Sequence, residues 1–215
     1  MQLTPDTPIG LPSLNLSADE KATVVDLVCK AARAARSNVK PGTLEVPINI
    51  IVRKAMRTVK RTLGLTNLQI RGEHELEDMA KNDASLLGRI DISLQFLHQF
   101  GNEDAYVAIE CKRVAAGKSD LNTKYVTEGV SRFINGKYSS GHEWGFMLGY
   151  VLALPVLEVT TAVDKRVRAD YGESAKLSSV ACHPEALAML GGSLKQANGH
   201  VIRLAHIFVD MLPAA

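Results

Sequence analysis

The chain has 215 residues, 46% hydrophobic and 22% charged, with a mean hydropathy near zero. That composition suits one sizeable core and excludes disordered and low-complexity classes. The net charge of +2 is too small for the total to imply nucleic acid, and the longest apolar stretch, residues 144–157, falls short of the ~18 residues of a membrane span.

The first residues are polar and proline-containing, without the basic-then-apolar pattern of a secretory signal. Cys29, Cys111 and Cys182 form no CxxC pair, so neither a zinc ribbon nor a disulfide framework is expected. A reducing cytoplasm and no membrane contact are the expectations.

In chain order, residues 1–16 read as a loose lead-in with three prolines. Ser17 and Glu20 form a capping box before Val24, Leu27, Val28, Ala31 and Ala35, which predicts a helix. A second helix is expected from about residue 43, with Ile48, Ile51, Val52, Met56 and Val59 as its apolar stripe. Strands are predicted over residues 67–72, 88–97 and 105–114, where apolar residues alternate with polar ones. A helix over residues 119–134, a buried strand at 146–154 and a helix over 156–171 follow. Residues 184–190 read as helical and 201–209 as a last strand. This order implies an α/β fold.

Charge is unevenly spread. Residues 46–72 hold no acid but include Arg53, Lys54, Arg57, Lys60, Arg61 and Arg71. Such blocks are commonly solvated faces. They gain interest only if the fold sets them beside a reactive site.

The sharpest chemical feature is Asp91 together with Glu110-Cys111-Lys112. Side chains alternate along a strand, so Glu110 and Lys112 must share a face and Cys111 the other. Asp91 falls inside the preceding strand, where aspartate is disfavoured. Burying it costs several kcal/mol without compensation. Two carboxylates meeting across adjacent strands suit Mg²⁺, and a lysine beside them can orient water or offset negative charge. The plainer interpretation is a surface Glu110–Lys112 pair on an edge strand.

In these residues the chain resembles the PD-(D/E)XK phosphodiesterase superfamily of restriction-endonuclease-like nucleases. Asp91 matches the second-strand aspartate, and Glu110 with Lys112 matches the third-strand motif. Glu45, heading the preceding helix, best matches the acidic first-helix position, with Glu73, Glu75 and Glu77 as rivals. Ile90 replaces the namesake proline. The resemblance implies a restriction-endonuclease-like αβββαβ core over residues 43–154. An N-terminal arm and helix (1–42) and a C-terminal α/β extension (155–215) would complete a single domain.

What the resemblance implies is a metal-dependent nuclease, with DNA as the expected substrate. Asp91, Glu110, the Cys111 carbonyl and Glu45 would bind Mg²⁺ or Mn²⁺, with Lys112 acting on the attacking water. Arg53, Arg57, Lys60 and Arg61 are the expected phosphate contacts. On the 119–134 helix, Tyr125, Glu128 and Arg132 fall at i, i+3 and i+7 and so share one face. The resemblance implies that this helix packs beside the active strands, which makes Lys124, Tyr125 and Arg132 further candidates. An ordinary amphipathic helix with a core tyrosine explains the same spacing. Specificity is expected from oligomerisation or a protein partner. The alternative is a non-catalytic nucleic-acid-binding or scaffold protein that keeps the fold. Trp144 and the loop from Tyr138 to His142 are weaker candidates for lining a cleft.

Overall fold

In the computed structural model, which describes residues 15–77, 81–139 and 142–212, helix α1 (Ala18–Ala35) begins at its capping box. Ser17 Oγ accepts from the Glu20 N–H at 3.1 Å, and Glu20 Oε2 accepts from the Ser17 N–H at 2.9 Å. Both of these N–H groups would otherwise be orphans of the helix start. Helix α2 (Glu45–Thr62) carries Pro47 in its first turn, where no intrahelical N–H is needed, and buries Ile48, Val52 and Met56. Most of the proline-containing lead-in expected over residues 1–16 lies outside the described residues.

Strands β1 (Leu68–Glu77), β2 (Leu86–Phe96) and β3 (Val107–Val114) run antiparallel in sequence order. Strand β4 (Trp144–Val151) joins β3 in parallel, as a crossover through the intervening helix requires. Helix α5 (Val156–Tyr171) then leads to β5 (Ser178–Ser179), β6 (Ala188–Lys195) and β7 (Val201–Asp210). Among the described residues the sheet has seven strands, in the order β1-β2-β3-β4-β7-β6-β5. The C-terminal residues therefore extend the same sheet, with β7 parallel to β4.

Helices α1 and α2 cover one face, over a core that includes Ile92, Ile109, Cys111 and Phe146. The crossover segment and α5 cover the other, with Tyr125, Phe133, Met147 and Phe208. The alternation of β2 breaks at Asp91: Ile92 belongs to the first core and Ile90 to the second. Opposite this break on β1, Glu73 has φ +50°. That left-handed residue reverses which face the following side chains take.

Two expectations are corrected. Residues 184–190 are not helical; residues 188–190 open β6, which pairs antiparallel with β7. The helix expected over residues 119–134 is present, but it is not regular and the face read from it is lost. It divides into α3 (Ser119–Lys124), a π-helical stretch (Tyr125–Val130) and α4 (Ser131–Ile134). The wider turn changes the phase of the helix, so Tyr125, Glu128 and Arg132 do not share a face. Tyr125 is fully buried and Glu128 exposed. Among the described residues, no helix is long and apolar enough to cross a membrane.

Candidate functional site

Strands β2 and β3 are paired only through Ile92–Ile109, Ser93–Ala108 and Leu94–Val107. Past Ile109 two carboxylates satisfy backbone donors of β3. Asp91 Oδ2 accepts from the Cys111 N–H at 2.8 Å, and Glu45 Oε2 accepts from the Arg113 N–H at 3.1 Å. An unsatisfied buried N–H is costly, so these acids help hold the strand where the ladder ends. Continuing the register by one step sets Asp91 beside Glu110.

Glu110 is fully buried and Lys112 is 5% exposed. Both lie under the π-helical stretch. A Cβ at Gly129 would come within 3.2 Å of Lys112 Cγ and 2.6 Å of Met147 Cε, so the absent side chain permits this close approach. Lys112 Nζ donates to Glu45 Oε1 at 2.8 Å and to the Cys111 carbonyl at 3.0 Å. It also lies 2.8 Å from Glu110 Oε1. That last contact is an ion pair by distance without hydrogen-bond alignment, which leaves Oε1 without a directed donor among the described residues.

From the crossover segment, Arg132 Nη1 lies 3.2 Å from Glu110 Oε1 and donates to the Arg89 carbonyl at 3.2 Å. The Tyr138 hydroxyl bonds both the Arg132 guanidinium and the Arg89 carbonyl. Tyr138 thus holds Arg132 in place. This hub is hard to read from sequence, because its members come from β2, α4 and a loop.

Burial dominates the electrostatics. It pushes the Glu110 carboxyl up to about 8, with Asp91 adding to the effect and Lys112 and Arg132 opposing it. Asp91 is raised too, first by burial, against the pull of Lys112. Burial disfavours the Lys112 ammonium, but Glu110, Glu45 and Asp91 outweigh it and hold the amine above its ordinary value. The result is a largely buried acidic cluster with a lysine at its centre.

The donor set suits a small hard cation, which prefers a few carboxylates plus carbonyl or water oxygens. Asp91 and Glu110 offer carboxylates, and Cys111 offers its carbonyl. The Cys111 thiol lies in the core on the other face, raised well above its ordinary value by burial. Among the described residues, no group of three or more His, Cys, Asp or Glu side chains converges as a ready-made metal centre. A cation there would need Lys112 to move aside.

The basic residues divide. Arg57, Lys60 and Arg61 line an open cavity of about 790 Å³ with Arg71, Gln69 and Phe100. Arg57 lies twelve residues past Glu45, about 18 Å along the helix axis at 1.5 Å per residue. Arg53 behaves differently: its guanidinium packs against Gly72, where a Cβ would meet it at about 2 Å. Lys124 is exposed. Tyr125 is removed from the candidate contacts, because it is fully buried and its hydroxyl lies 3.0 Å from His206 Nδ1. Trp144 packs against the core on the α1–α2 side, away from Glu110. Residues 140 and 141 of the Tyr138 loop lie outside the described residues.

No family model, curated protein or solved structure matches the chain.

Proposed function

We propose that the chain is a divalent-metal-dependent nuclease of the PD-(D/E)XK type, hydrolysing phosphodiester bonds in DNA. One observation carries this reading: Lys112 Nζ lies within 3.0 Å of Glu45, Glu110 and the Cys111 carbonyl, beside Asp91 at the parting of two strands. The element order α2-β1-β2-β3-α3-β4 supports the resembled core. Mg²⁺ or Mn²⁺ held by Asp91, Glu110 and the Cys111 carbonyl would supply an acidified water and relief of the charge that develops on the phosphate. Glu45 keeps Lys112 at the cluster, and Lys112 delivers a positive charge, or a proton, to the reacting oxygens. Arg132, held by Tyr138, offsets the charge of Glu110. Arg57, Lys60 and Arg61 would contact the phosphate backbone without reading bases. Oligomerisation or a protein partner would supply specificity.

A non-catalytic nucleic-acid-binding scaffold is the alternative, and one specific observation favours it. Lys112 and Arg132 already pair with Glu110, so the acids are compensated as a structural ion cluster would be. A melting experiment with Mg²⁺ or Mn²⁺, followed by cleavage of circular and linear DNA, separates the two. Metal-dependent stabilisation and strand scission, both lost in Asp91→Ala, support the nuclease. Neither effect at millimolar metal leaves only the scaffold.

A further inference from the structure

On the sheet face remote from Glu110, a cavity of about 800 Å³ opens between α1 and the β5–β6 hairpin. That volume is of the size that encloses a small organic ligand. Its walls differ in chemistry. Val25, Phe146, Val180 and Met189 form an apolar side. Trp144 forms the other, with Lys21 Nζ 4.3 Å from its ring centroid and the Arg203 guanidinium carbon 5.6 Å away. Lys176 stands at the rim, and among the described residues no carboxylate lines the space.

The register explains why cations gather at this tryptophan. Trp144 on β4 is the direct partner of Arg203 on β7, so both project from one face. Lys21, in the first turns of α1, reaches the same ring from above. The indole orients the two cations and is itself a flat apolar surface. Nearby acids are engaged elsewhere: Asp26 pairs with Lys30 and His183, and Glu185 pairs with Arg33. The positive charge at Lys21 and Arg203 therefore has no carboxylate partner among the described residues.

We propose that this cavity binds a small amphipathic anion. Its negative group sits between Lys21, Arg203 and Lys176, and its apolar body lies along Val25, Phe146 and Met189. A carboxylate on an acyl chain and a phosphate on a nucleoside both have this chemistry. The site is independent of any nuclease chemistry at Glu110.

The molecule carries two reporters for the test. Trp144 is its sole tryptophan, and Cys182 on the cavity wall is exposed whereas Cys29 and Cys111 are buried. The full chain is titrated with anilinonaphthalene sulfonate, a flat amphipathic anion, while Trp144 emission and the alkylation rate of Cys182 are followed. The expected result is saturable quenching at one probe per chain, with alkylation slowed in parallel. A Lys21→Ala/Arg203→Ala variant, with unchanged circular dichroism and melting, should bind about tenfold or more weakly. Displacement by a medium-chain fatty carboxylate assigns an acyl ligand, and displacement by a nucleoside monophosphate assigns a nucleotide. Absence of saturable quenching, equal binding in the double variant, or equal displacement by the neutral alcohol and nucleoside overturns the proposal.

Discussion

Glu45 and Lys112, 67 positions apart in sequence, meet at 2.8 Å between one Glu45 oxygen and the Lys112 amine. The other Glu45 oxygen takes the Arg113 N–H. One side chain thus ties the start of α2 to β3 and restrains the lysine of the candidate site.

That double role separates two substitutions. Glu45→Gln keeps an amide oxygen for the Arg113 N–H but removes the charge that holds Lys112. Glu45→Ala removes both, and leaving the N–H without its acceptor should cost about 1–3 kcal/mol. Urea unfolding should rank stability as parent, then Gln, then Ala. Equal losses in the two variants would mean that the Arg113 contact contributes nothing.

Lys112 should differ from Asp91 in how it affects metal. If Asp91 is an oxygen ligand of the proposed metal, removing it should lower metal affinity and cleavage together. Lys112→Ala removes a cation lying against three oxygen-bearing groups of the cluster, so metal affinity should hold or rise. Cleavage should still fall by roughly 10²-fold or more, the usual scale for a positioned acid–base or electrostatic group. Calorimetry and cleavage rates on the same variants decide it. A Lys112→Ala protein that loses metal as Asp91→Ala does would contradict the assigned role.

How much of this was legible in sequence follows from how local each determinant is. The Ser17–Glu20 box fixes the start of α1 within four residues, and Val156–Tyr171 matches its periodicity at both ends. Glu110 and Lys112 share a face because strand alternation requires it once β3 is a strand. Residues 184–190 misled because Glu, Ala, Leu and Met favour helix locally, whereas pairing of β6 with β7 overrides that preference. The Tyr125–Glu128–Arg132 face failed because the helix widens there, and no spacing in the sequence marks the extra residue per turn. The Glu45–Lys112 and Arg132–Tyr138 contacts join distant segments. They become visible only when the sheet and its crossover are assembled.

The basic face should split in the same way. If Arg57 and Arg61 contact duplex phosphates, replacing both with Gln should reduce the slope of log K against log salt by about 1.8, at about 0.9 per contact. Arg53→Met removes a guanidinium packed over Gly72, so it should lower stability and leave that slope unchanged. Equal salt slopes for the parent and the Arg57/Arg61 variant would return those residues to an ordinary solvated face.

His206 makes the acid stability of the fold testable away from the candidate site. It is fully buried on β7, with Nδ1 3.0 Å from the Tyr125 hydroxyl and, among the described residues, no partner at Nε2. Burial lowers its pKa from 6.5 to about 3, so the folded state resists protonation that the unfolded chain accepts. With a folded pKa below the unfolded one, the contribution is full above about pH 6.5. It is lost progressively as the pH falls toward 3, at up to about 1.4 kcal/mol per pH unit. Replacing His206 alone would strand the Tyr125 hydroxyl and lower stability at every pH. Tyr125→Phe with His206→Phe removes both polar groups and keeps the aromatic packing on Phe208. Urea unfolding from pH 7 to 4 should then show a shallower loss of stability in the double variant than in the parent. Parallel curves would mean that His206 is protonated in the folded protein and that other groups set its acid limit.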